Sequence, residues 1–104
     1  MPDKQPNIDS RYVDGGSALE TTVQKAAVKV HWIHLFPETV ATVGVITLYD
    51  GLDNGGRRKW QMESGLVGQF SFPSPILCHQ GLHISSDANI GGYTVGYELA
   101  GEEG

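Results

Sequence analysis

Val43-Gly-Val-Ile-Thr-Leu-Tyr-Asp50-Gly-Leu-Asp-Asn-Gly-Gly56 sets the reading of the whole chain. Its first half is rich in β-branched and aromatic residues, which fit a pleated, half-buried surface. Its second half gathers Asp50, Gly51, Asp53, Asn54, Gly55 and Gly56, residue types that tolerate positive φ or bond their own backbone in turns. Arg57 to Met62 then alternates again, with Arg58, Trp60 and Met62 on one side and Arg57, Lys59 and Gln61 on the other. Strand, glycine-rich turn and return strand make a β-hairpin with a loop longer than two residues.

Working outward, the same pattern repeats. Val28 to Phe36 alternates with both sides partly apolar: Val28, Val30, Trp32, His34 and Phe36 against Lys29, His31, Ile33 and Leu35. Strands apolar on both sides belong in a sheet covered on both faces, a hint of oligomerisation. Ala18 to Val23 reads as an edge strand, although Val23 to Ala27 could also form a brief helical turn. Leu66 to Phe72 alternates until Pro73 and Pro75 stop the ladder. Ile76 to His79, Leu82 to Ser85 and Tyr93 to Leu99 supply further short strands. Seven or eight short strands with regular turn signals predict an all-β fold, a small antiparallel β-sandwich or jelly-roll. The expected organisation is an extended N-terminal arm over 1–17, a β-sandwich domain over 18–99 and a flexible acidic tail over 100–104.

Composition bounds the function. A chain of 104 residues is one domain. Seven Lys and Arg against twelve Asp and Glu give a net charge of −5, which argues against broad nucleic-acid binding. No apolar run approaches the roughly 20 residues of a membrane span, and the first ten residues lack the apolar core of a signal peptide. The expectation is a soluble protein made in a cytoplasm. Cys78 is the sole cysteine, so no intrachain disulfide forms, and its apolar neighbours predict a buried, inert thiol.

Catalytic and metal signatures are missing. His31 and His34, three apart on a strand, are expected on opposite sides and unable to share an ion. His79 and His83 flank a turn near Cys78 without the spacing of a metal motif. The Asp50–Gly56 loop lacks the ligand spacing of a calcium loop. No G-x-S-x-G elbow, P-loop or dinucleotide fingerprint occurs. An enzyme is not expected, and neither is a metal or a cofactor. Trp60, Tyr93 and Tyr97 could form a platform for sugar rings, against a reading in which the aromatics build and seal the core.

Taken in order, Val28-Lys-Val-His-Trp-Ile-His, Ala41-Thr-Val-Gly-Val-Ile-Thr-Leu-Tyr-Asp-Gly, Phe70-Ser-Phe-Pro-Ser-Pro, Gly81-Leu-His-Ile and Tyr93-Thr-Val-Gly-Tyr form a pattern. It resembles small bacteriophage virion proteins of β-sandwich or jelly-roll fold, including capsid decoration (cement) proteins, over about residues 18–99. The chain departs from that pattern at His31 and His34, where such proteins more often carry small or aromatic residues. The resemblance implies a viral structural protein on the capsid surface that binds the major capsid protein and itself, as a homotrimer, with no nucleic-acid or membrane partner. The alternatives are a carbohydrate- or receptor-binding module of a tail or fibre, or a tail or neck assembly protein. Tyr12, Val13, Leu52 and Trp60 are the candidate partner-binding residues.

Overall fold

The computed structural model describes residues 8–39, 42–65 and 67–100. Eight strands follow one another: β1 (Asp9–Asp14), β2 (Leu19–Gln24), β3 (Val28–Pro37), β4 (Gly44–Asp50), β5 (Arg57–Ser64), β6 (Gly68–Cys78), β7 (Leu82–Ser86) and β8 (Ile90–Leu99). They form two antiparallel four-stranded sheets, A in the order β1-β8-β3-β6 and B in the order β2-β7-β4-β5. β1 pairs with β8, β2 with β7, β3 with β6 and β4 with β5. The chain is one long hairpin, folded at the β4–β5 turn and rolled into a sandwich, which is the jelly-roll order. The hairpin read from Val43–Gly56 is therefore the fold-back of the whole molecule.

The core is the set of inward side chains from both sheets. Val28, Val30, Ile33 and Leu35 of β3 meet Ile46 and Leu48 of β4, Leu82 and Ile84 of β7, and Tyr93 and Val95 of β8, all almost fully buried. Each such aliphatic side chain contributes about 1.5–3 kcal/mol by leaving water. Two side-chain contacts close the flanks between the sheets. Arg11 Nη1 of β1 donates to the Val23 carbonyl of β2 at 3.2 Å. On the opposite flank, Trp60 of β5 packs against Phe70 and Phe72 of β6, with ring centroids 6.3 and 5.5 Å away.

Four expectations change. Asp9–Asp14 is not part of an arm outside the core: it is β1, the edge strand of sheet A, in register with β8 from Asp9↔Tyr97 to Asp14↔Gly92. Most of its side chains are exposed, so it is held by backbone ladder bonds that no hydrophobic period announces. Residues 1–7 of the expected arm and 101–104 of the acidic tail lie outside the described residues; Gly15 N and Gly16 N donate to the Gly91 and Ile90 carbonyls, and Ala100 N donates to the Ala27 carbonyl. Second, β3 does not alternate without interruption, because its pairing with β6 and with β8 shifts between Val30 and Trp32. The extra residue, His31, is a β-bulge that reverses the phase: Val28 and Val30 point inward before it, Ile33 and Leu35 after it. The apolar residues on both sides of β3 thus do not require both faces of the sheet to be covered. Third, the same bulge puts His31 and His34 on one face, not on opposite faces. Fourth, Pro73 and Pro75 do not end a strand. β6 runs through them from Gly68 to Cys78, and its pairing skips from Ser71 to Ile76 opposite the β3 bulge. β6 is an edge strand, where a missing N–H costs no ladder bond on the open side.

Candidate functional site

Alternation along β8 sends Tyr93, Val95 and Tyr97 into the core and Gly92, Thr94, Gly96 and Glu98 to the outer side of sheet A. The outward glycines leave two shallow seats, and aromatic rings from both neighbouring strands occupy them. A Cβ on Gly96 would lie 2.2 Å from Trp32 Cε2 and 2.4 Å from Trp32 Nε1, so the indole of β3 rests directly on the Gly96 backbone. A Cβ on Gly92 would lie 2.5 Å from the Tyr12 hydroxyl, so the phenol of β1 reaches over that position in the same way. Glycine is required at both places because any side chain would displace a ring.

Three rings of this face touch one another. His34 and Phe36 stack tilted with centroids 4.5 Å apart, and Tyr12 meets Phe36 edge-on at 6.2 Å. Tyr12 is 55% exposed. Its hydroxyl donates to Asp14 Oδ1 at 3.2 Å, and its phenol is raised above the ordinary value by loss of water against the sheet and by that carboxylate. At the other end, His31 Nε2 and Glu98 Oε1 pair at 2.8 Å, both partly buried. The bulge makes this surface, since without it His31 and Trp32 would fall on different sides. Such a face offers large, rigid, amphipathic contact area at low entropic cost, with polar groups at its ends.

The outer side of sheet B is built differently. Glu20 and Thr22 of β2 flank His83 of β7, which is only 4% exposed. His83 Nε2 lies 2.7 Å from Glu20 Oε1, and Nδ1 lies 3.1 Å from Thr22 Oγ1. Ser85 Oγ donates to the same Glu20 oxygen, and Thr22 Oγ1 donates to the Leu52 carbonyl at 2.8 Å. The hydroxyl of Ser85, followed by His83 and Asn54, holds the Glu20 carboxyl below the usual range despite partial desolvation. A shallow cleft of about 260 Å³ beside this network is lined by Ala18, Glu20, Val45, Thr47, Ser85, Ser86 and Asp87. Neither Thr22 nor His83 reaches it, so a molecule there would meet no hydroxyl activated by an imidazole.

The candidate residues separate. Tyr12 stands on the aromatic face, and Leu52 is 54% exposed at the tip of the β4–β5 loop. Val13 and Trp60 are half-buried against the core. Tyr93 and Tyr97 face inward, so no sugar platform forms from Trp60, Tyr93 and Tyr97; burial pushes the Tyr93 phenol up to about 12. Cys78 is fully buried and its thiol is likewise pushed up to about 12. Asp50 of the composition-only calcium loop is a structural acceptor, taking the Gln80 N–H at 2.8 Å. Among the described residues no cluster of three or more His, Cys, Asp or Glu could hold a metal ion, and no helix is long and apolar enough to cross a membrane. The residues that sequence reading missed are Trp32, His34 and Phe36 as one outward set. No residue of Val28 to Phe36 marks the bulge, so the sequence carried no signal for that set beyond the glycines at 92 and 96.

No family model, curated protein or solved structure matches this chain.

Proposed function

We propose that this protein is a non-enzymatic structural component of a bacteriophage virion, a decoration or cement protein that binds the major capsid protein on the capsid surface as a homotrimer. The observation that carries the reading is the aromatic stripe of Tyr12, Trp32, His34 and Phe36 on sheet A of a jelly roll whose core is already complete without it. Rings left at the surface add little to the fold and much to an interface, where aromatic anchors dominate affinity. The jelly-roll order recurs in viral capsid proteins, an analogy of fold that supports the reading without fixing it. Acidic net charge keeps a protein displayed in many copies soluble.

The deciding measurement is the copy number of this chain in purified particles, by quantitative mass spectrometry against the major capsid protein. Hundreds of copies per particle are expected. A handful would move it to the tail or neck, and absence would end the virion reading. Binding to empty capsids should also fall at least tenfold in Phe36→Ala, whose ring joins Tyr12 to His34 at the centre of the stripe.

A second reading has its own observation. An indole laid flat on Gly96, with Tyr12 over Gly92, is the arrangement that stacks against sugar rings. It supports a carbohydrate- or receptor-binding module on a tail or fibre, with Trp32 in the place that sequence reading gave to Trp60. Saturable glycan binding that is lost in Trp32→Ala and kept in Trp60→Phe would favour it over the capsid reading.

A further inference from the structure

The His83 network on sheet B has more hydrogen-bond contacts than a neutral imidazole can supply. Thr22 carries one hydroxyl hydrogen. Its oxygen lies 2.8 Å from the Leu52 carbonyl, an acceptor only, and two oxygens at that separation need a hydrogen between them. That hydrogen is therefore spent on Leu52. The 3.1 Å contact between Thr22 Oγ1 and His83 Nδ1 must then be donated by the ring. On the other side, Glu20 Oε1 accepts from Ser85 and stands 2.7 Å from Nε2. An ionised carboxylate only accepts, so Nε2 donates as well. Both ring nitrogens carry hydrogens, assigned from their partners.

The same residues hold the β4–β5 loop. Its tie to β2 through the Leu52 carbonyl ends on Thr22, whose oxygen also meets one ring nitrogen of His83, while Glu20 takes the other. These are the two residues that flank the imidazole. We infer that His83 is a proton-operated latch: doubly protonated, it fixes Thr22 and Glu20 so that the Gly51–Gly56 loop is tied to strand β2. Losing the Nδ1 hydrogen turns that nitrogen into an acceptor, which draws the Thr22 hydroxyl away from Leu52 and frees the loop. The ionisable groups packed on the imidazole are Glu20 from β2 and Tyr49 from β4, the latter with ring centroids 6.2 Å apart. The device acts on Leu52, the most exposed apolar residue of that loop, and is independent of the aromatic face.

The test is nuclear magnetic resonance on the intact protein from about pH 5 to about pH 9, the range in which imidazoles titrate. Long-range proton–nitrogen spectra report both His83 nitrogens. Hydrogen exchange reports protection of the Gly51, Gly55 and Gly56 amides, which bond Gly81, Asp53 Oδ1 and Asp53 respectively. Protection, corrected for intrinsic exchange, should fall roughly three- to tenfold as Nδ1 loses its hydrogen, the equivalent of one net hydrogen bond. Thr22→Val should hold the loop at low protection at every pH, and Thr22→Ser should restore the response. A bare Nδ1 under conditions where the loop is protected would overturn the latch. So would loop protection that ignores the His83 transition, a result read on the unaltered protein.

Discussion

Sheet A turns Tyr12, Trp32, His34 and Phe36 to solvent, whereas sheet B turns out Glu20, Thr22, Ser85 and the shielded His83. The two faces have four strands each and similar backbones. They differ in whether their side chains are already answered. On sheet B the carboxylate, imidazole and hydroxyls satisfy one another, and a newcomer would have to replace bonds that exist. On sheet A the stripe makes ring contacts but leaves apolar area in water, and covering it releases that water at about 25 cal/mol per Å². A self-satisfied polar face stabilises its own fold, while an aromatic face with polar ends is the part available to a partner.

That contrast can be tested by substitution. The largest effect is expected for Gly96→Val, because the new side chain must expel the Trp32 indole or push β8 away from β3. Chemical denaturation should show a loss of about 1–3 kcal/mol, typical of overpacking, together with loss of partner binding. Next comes His83→Ala on the other sheet, which leaves Glu20 and Thr22 facing a gap. It should lose about 1–2 kcal/mol in the same assay and leave sheet A binding unchanged. If instead His83→Ala abolished binding, the division of labour between the faces would be wrong.

An acid titration of stability separates the faces further. Glu20 is held below the usual carboxylate range by Ser85 and His83. Burial of Asp50 is outweighed by the backbone N–H groups of Gln80 and His79, which lower it too. For a carboxyl lowered by folding, the stabilisation is present above its unfolded value and is lost as pH falls through its folded value. Melting temperature should therefore decline on acidification, and Glu20→Gln should flatten part of that decline. The smallest stability effect is expected for Trp32→Ala, about 1 kcal/mol or less, since the ring lies outside the core. Its loss of binding should nonetheless match that of Gly96→Val, which separates the ring's role at the surface from its role in stability.

The existence of the hairpin and of the central strands was legible because their constraints are local, although the expected alternation of Arg57 to Met62 is broken by an extra residue, Lys59, between the Tyr49↔Arg58 and Leu48↔Trp60 pairs. Gly51 to Gly56 can only turn, and Val43 to Tyr49 fits a strand. β1 was not legible, since Asp9, Ser10, Arg11 and Tyr12 show no buried period; partner β8, more than eighty residues away, decides their conformation. The β3 bulge was hidden for the opposite reason. Both phases of Val28 to Phe36 are apolar, so alternation cannot reveal where the phase flips. The site inherited that gap, because which aromatics face out depends on one extra residue at His31. Pro73 and Pro75 misled in a simpler way, as an edge strand accommodates what a central one rejects.

The pairing scheme also sets how the chain must be made. Among the described residues every ladder joins one of β1–β4 to one of β5–β8, and no strand pairs within its own half. A ribosome therefore releases four strands before the first of their partners appears. The nascent first half has open edges and nothing native to close them, the condition in which chains aggregate. Once β5 turns back onto β4, each later pair closes a loop already shortened by the pair inside it, so ordering runs from the middle of the chain towards both ends. No cut near the middle leaves a fragment able to keep a native ladder. The sandwich is indivisible, and it folds only as a completed whole.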